Sequence, residues 1–121
     1  MKFLAVALFI SFALATISFN SGYARNTTWG YIGPYDLLLH RDFVVRSSSW
    51  LRVISEDVTY PPKGFVNQYI ISGVRAIDNA RKHGGYATLI RGGPGFRNAT
   101  IHLKSERSEG LNYTVEFFGR R

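Results

Sequence analysis

The chain has 121 residues, a formal net charge of +7 and no cysteine. Disulfides, thiol nucleophiles and thiolate zinc sites are therefore excluded. Hydrophobic residues make up 45% and aromatic residues 15%, so one core can form without covalent staples.

Met1 to Ala24 has the layout of a secretory signal peptide. Lys2 gives the positive start, and Phe3 to Phe19 is apolar apart from Ser11, Thr16 and Ser18. Gly22-Tyr23-Ala24 then places small residues at the third and first positions before a cut between Ala24 and Arg25. The apolar run is shorter than the roughly 20 residues of a spanning helix, and hydroxyls interrupt it. Cleavage there leaves 97 residues, a single β-rich domain over 25–121, and lowers the net charge to +6.

Arg25 to Pro34 reads as a flexible polar lead-in. Leu37 to Val45 is a predicted strand with Leu37, Leu39, Phe43 and Val45 inward and Asp36, His40, Asp42 and Arg46 outward. Ser47-Ser48-Ser49 turns the chain into Trp50 to Tyr60. The apolar residues of that second strand change parity, so a bulge is expected near Ile54-Ser55. Pro61-Pro62-Lys63-Gly64 ends it. Val66 to Ile77 is apolar on both parities, as a strand covered on both sides would be, and Gly73 suggests a bend. Ala76 to Lys82 has some helical character that Gly84-Gly85 would stop.

Tyr86 to Ile90 is a short strand, and Gly92-Gly93-Pro94-Gly95 a tight connection. Two strictly alternating runs follow. Ala99, Ile101 and Leu103 oppose Asn98, Thr100, His102 and Lys104; Leu111, Tyr113, Val115 and Phe117 oppose Asn112, Thr114 and Glu116. The polar link Ser105 to Gly110 suggests that they form an antiparallel hairpin, with Glu116 paired to Lys104 or His102 across it. About six antiparallel strands and no strong amphipathic helix predict an all-β meander closed as a sandwich or barrel.

Three N-glycosylation acceptors occur, at Asn26, Asn98 and Asn112. No other site chemistry emerges. His40, His83 and His102 lack metal-ligand spacing, so no metal or cofactor is expected. The serine cluster has no nucleophile-elbow pattern, and the glycine-rich turn lacks the Lys-Ser/Thr ending of a phosphate loop. Glu106 and Glu109 share a polar loop where carboxylates are ordinarily solvated. No catalytic residue is assigned, and the chain is expected not to be an enzyme.

A resemblance is carried by several pieces in order: Val74-Arg75-Ala76-Ile77-Asp78, Gly85-Tyr86-Ala87, Gly92-Gly93-Pro94-Gly95, Asn98-Ala99-Thr100, Leu103-Lys104-Ser105 with Arg107, and Gly110 through Arg120. Together they resemble the insect multiprotein-bridging-factor type 2 family, many of whose members are described as salivary secreted peptides. Gly30-Tyr31, Leu37-Leu38 and Trp50-Leu51-Arg52-Val53 fit more loosely. The family name implies a transcriptional coactivator that bridges a nuclear receptor to the basal transcription machinery, whereas the leader routes the product out of the cell. Where a Gly-His-Gly is common before the last strand, this chain has Ser108-Glu109-Gly110. The expectation is a secreted, N-glycosylated, non-enzymatic binding protein, with the nuclear coactivator as the alternative. Its partner would be a protein or an anionic or carbohydrate surface. No specific nucleic acid is expected, nor a membrane once the leader is gone. Open sheet edges leave room for a homodimer.

Overall fold

The computed structural model describes residues 26–80 and 84–121. The expected signal peptide, the expected cut between Ala24 and Arg25, and His83 lie outside the described residues. Seven strands form: β1 (Thr27–Gly30), β2 (Leu37–Arg46), β3 (Ser55–Tyr60), β4 (Ile70–Asp78), β5 (Tyr86–Gly92), β6 (Ala99–Lys104) and β7 (Leu111–Arg120). They make two antiparallel sheets, in the orders β1-β4-β7-β2 and β3-β6-β5. The expected all-β, sandwich-type architecture is what the chain adopts, with one strand more than predicted. Among chain neighbours only β5 and β6 pair, so the path shuttles between sheets where a simple meander would stay in one.

The core lies between the sheets. The first sheet supplies Val44, Ile71, Val74, Ala76, Leu111, Tyr113, Val115 and Phe117; Val58, Ala99, Ile101 and Leu103 come from the second. The two alternating runs thus bury the faces that their period of two marks out. They do not, however, pair with each other. β7 is central in the first sheet, between β4 and β2, while β6 is central in the second, between β3 and β5. Alternation identifies the inward face but not the partner, and either sheet of a sandwich turns such a face to the core.

Other expectations fail for local reasons. Along β2 the register slips between Leu38 and His40, which inserts Leu39 and reverses the parity of everything after it. Val44 is therefore buried, and Phe43, expected inside, is 68% exposed. His40 turns inward, stacked on Tyr60 at 5.4 Å. The mixed parity of residues 50–54 reflects a turn before β3; no bulge breaks the β3–β6 register. The β4 bulge lies between Ile71 and Gly73, where a bend was expected. Strand continues through Ala76 to Asp78, which removes the start of the suggested helix; Arg81 and Lys82 lie outside the described residues. The lead-in is ordered. β1 pairs with β4 from Thr27↔Ala76 to Gly30↔Gly73, and Asn26 Oδ1 accepts the Asp78 amide at 3.0 Å.

Candidate functional site

Antiparallel pairing fixes which loops share an end. Leu37 and Ile70 stand beside Gly119 and Arg120, and Tyr60 and Gly92 both stand beside Ala99. The loops 31–36, 61–69 and 93–98 and the last two residues therefore gather at one end of the sandwich. The opposite end holds the loops 47–54 and 105–110 and the start of β1.

The first end is heavily braced. Asn67, buried, donates from Nδ2 to the carbonyls of Tyr69 and Arg97, each at 2.9 Å, and its Oδ1 accepts the Tyr69 amide. One side chain thus ties the β3–β4 loop to the β5–β6 loop. Ile71 donates its amide to the Phe96 carbonyl, and Gly95 donates to the Ile71 carbonyl, both at 2.8 Å. The Gly92-Gly93-Pro94-Gly95 turn works as expected: three of its glycines have positive φ, from 62° to 110°. Asp36 accepts the Gly33 amide and the Ser72 hydroxyl, both at 2.7 Å. The Ser72 hydrogen bond, helped by that amide and by the charge of Arg120, holds its carboxyl below the usual range.

On this frame stand side chains with no place in the core. Tyr35 is 94% exposed, Val66 90% and Phe65 70%; Tyr31, Ile70 and Phe96 are also exposed. Lys63, Arg97, Arg120 and Arg121 are exposed at the same end, and Asp36 is the single acidic side chain in these segments. A depression of about 440 Å³ is lined by Gln68, Tyr69, Ile70, Arg97 and Arg121. The Arg121 guanidinium lies 5.8 Å from the Tyr69 ring centroid, within cation–π range. Rigid aromatic tips among cations can bind an anionic, partly apolar partner. Sequence reasoning assigns Phe43, Tyr113 and Phe117 to core faces, gives Phe65 and Phe96 no face, and misses this end. Phe65 and Phe96 each follow a Pro/Gly turn, which was the available signal.

The remaining polar groups do other work. Glu116 does not pair with Lys104 or His102, which lie on the other sheet. Across β7 it meets Arg41 and Arg75, its register neighbours on β2 and β4. Arg41 donates Nε and Nη2 to Oε2 at 2.8 and 2.6 Å; Arg75 donates Nε and Nη2 to Oε1 at 2.9 and 2.7 Å. Burial pushes the Glu116 carboxyl up, but the hydrogen bonds from Arg75 and Arg41, with their charges, outweigh it and hold it low. His102 Nδ1 lies 2.6 Å from Asp57 Oδ1 on the outer face of the second sheet. His40 and Asp42 form no such pair in the hydrogen bonds of the described residues. No group of three or more His, Asp or Glu side chains suited to a metal occurs among the described residues.

All three sequon asparagines are exposed. Asn98 stands at the loop end, beside Arg97; Asn26 and Asn112 lie toward the opposite end. There the turn 49–52 carries Trp50, 83% exposed. Ser108 Oγ accepts the Leu51 amide at 2.7 Å, and Arg107 donates to the Leu51 carbonyl.

These features define the class: a small, cysteine-free antiparallel β-sandwich with exposed aromatic and cationic side chains at the end formed by loops 31–36, 61–69 and 93–98. A family model described as "Transcription activator MBF2" matches residues 29–119, and the chain belongs to that family. It is 35% identical over 102 residues to a bumblebee (Bombus ignitus) protein named "Probable salivary secreted peptide", a match covering 84% of this chain and 74% of the relative. No solved structure matches.

Proposed function

We propose that this protein is a secreted, N-glycosylated insect protein that acts by binding and not by catalysis, with the loop end of the sandwich as its contact surface. The observation that carries this reading is the clustering of exposed aromatic and cationic side chains at one end, on loops braced by Asn67 and Asp36. Fixed tips lose little conformational freedom when they engage a partner. Secretion is supported by the leader-like residues 1–24 and by the name of the bumblebee relative. Asn112 is the register partner of Val45, so a glycan there would shield the exposed Phe43–Val45 pair from water and from other chains.

Hydroxyl-radical footprinting tests the contact surface without naming the partner in advance. The purified protein is compared with the same protein in the fluid into which it is secreted. Tyr35, Phe65 and Phe96 should become protected, while Trp50 at the opposite end should not. Equal labelling of the loop end in both states would overturn the reading.

The family description favours a second reading, a nuclear coactivator. It requires a chain that keeps Met1 or bypasses the secretory pathway and carries no sugar.

A further inference from the structure

We propose that the loop end docks on an anionic phospholipid membrane, with Phe65 and Val66 entering the interface and the surrounding cations meeting the headgroups. The proposal rests on the loop end being the contact surface, and it goes against the sequence-based expectation of no membrane partner. Exposure changes that expectation. Phe65 and Val66 follow Gly64 in a turn closed by the Phe65 amide and the Pro62 carbonyl at 3.0 Å, and both side chains point to solvent. Phe96 stands on the neighbouring loop in a second closed turn, its amide on the Gly93 carbonyl at 2.9 Å. Apolar tips on rigid turns, ringed by Lys and Arg, are how a water-soluble domain gains both parts of interfacial affinity: buried apolar area and attraction to anionic lipid.

The charge pattern selects among occupants. Four cationic side chains share this end with one acidic side chain, and Asp36 is turned inward to Gly33 and Ser72. A second copy docking end to end would oppose like charges, which is unfavourable. A polysaccharide would use the cations, but it asks for hydrogen-bond acceptors toward its hydroxyls. Of the acceptors here, Asn67 is buried and bonded to the Tyr69 amide, and Asp36 Oδ2 is taken by Gly33 and Ser72, which leaves Asp36 Oδ1, Gln68 and the tyrosine hydroxyls. A ring such as Phe65 can serve either partner, but an aliphatic tip such as Val66, 90% exposed, offers a polysaccharide little and a lipid interface a great deal. Tyr31 and Tyr35 suit the same boundary, where a ring can sit in the apolar layer with its hydroxyl in water.

The test uses the full mature chain as secreted, with its N-glycans, and beside it an Asn98→Gln variant, because Asn98 stands on this end. Co-flotation is measured with vesicles of phosphatidylcholine alone and of phosphatidylcholine with phosphatidylserine. Binding is expected to the serine-containing vesicles, to weaken as salt is raised, and to be absent or much weaker with phosphatidylcholine alone. Phe65→Ser with Val66→Ser should weaken it about ten-fold or more. Arg97→Gln with Arg121→Gln should weaken it by a comparable factor, at roughly five-fold per cation. All four side chains are exposed, so the variants should keep the parent melting temperature. Phe65→Trp should add blue-shifted emission quenched by brominated lipid, while the parent chain, with Trp29 packed on the core and Trp50 at the opposite end, shows no such quenching.

No binding to either vesicle, or binding that survives the Ser variants, overturns the proposal. Retention on heparin without vesicle binding also overturns it and makes a sulfated polysaccharide the partner. Footprint protection in the native fluid without vesicle binding would sink the lipid assignment and leave the binding surface standing; loss of both would sink both.

Discussion

Replacing Glu116 by Gln removes the one charge that two arginines share at the centre of the larger sheet. The Glu116 side chain is 4% exposed and accepts from four guanidinium nitrogens, two on each oxygen. A glutamine keeps an oxygen for one arginine and turns an amide donor toward the other. Hydrogen bonds to a charged acceptor contribute about 1.5–3 kcal/mol each, but Arg41 and Arg75 are 46% and 41% exposed and can rehydrate. The net cost is set at about 2–3 kcal/mol, or about 10–20 °C in melting temperature for a domain of this size. The pH dependence follows from the depressed folded-state value of Glu116. Its contribution is fully present above the ordinary carboxylate range and is lost as pH falls through the folded value. Urea unfolding of both proteins from neutral to acid pH should show a gap that closes on acidification. A gap under about 0.5 kcal/mol at neutral pH, or one that does not change with pH, would refute this reasoning.

Three further substitutions probe the fold. Phe117→Ala should cost about 3–5 kcal/mol, because the ring is fully buried and stacked on Tyr60 at 5.4 Å; chemical denaturation would read it. Gly92→Ala should destabilise by about 2 kcal/mol or more, since φ is +62° and a Cβ would fall on the Asn98 carbonyl oxygen. Thermal melts should show a large drop, and an unchanged midpoint would contradict the turn geometry. Leu51→Gly should be neutral or stabilising by up to about 1 kcal/mol, because Leu51 has φ of +61° and its side chain is largely exposed. A loss of more than about 1 kcal/mol would mean that its side chain packs in solution.

The inward faces of β6 and β7 were legible because period-two alternation is a local property. Partners were not. Whether β7 pairs with β6 or with β4 and β2 depends on how two sheets share the strands, and a polar six-residue link permits both. The reversed faces of β2 come from a single inserted residue at Leu39, and nothing in the sequence around it announces a bulge. β1 was hidden by its shortness and polarity, since its order comes from the β4 edge and the Asn26–Asp78 hydrogen bond. The loop end was hidden for another reason. Aromatic content predicts burial on average, and only the positions of Phe65 and Phe96 just after Pro/Gly turns hint that these rings face water.

The mass of the protein recovered from its native tissue and fluid, before and after enzymatic removal of N-glycans, decides whether it works outside the cell. An N-terminus at Arg25 with sugar on Asn26, Asn98 or Asn112 is the expected result. An intact Met1, an unchanged mass and recovery from nuclei would contradict secretion and put the coactivator reading first.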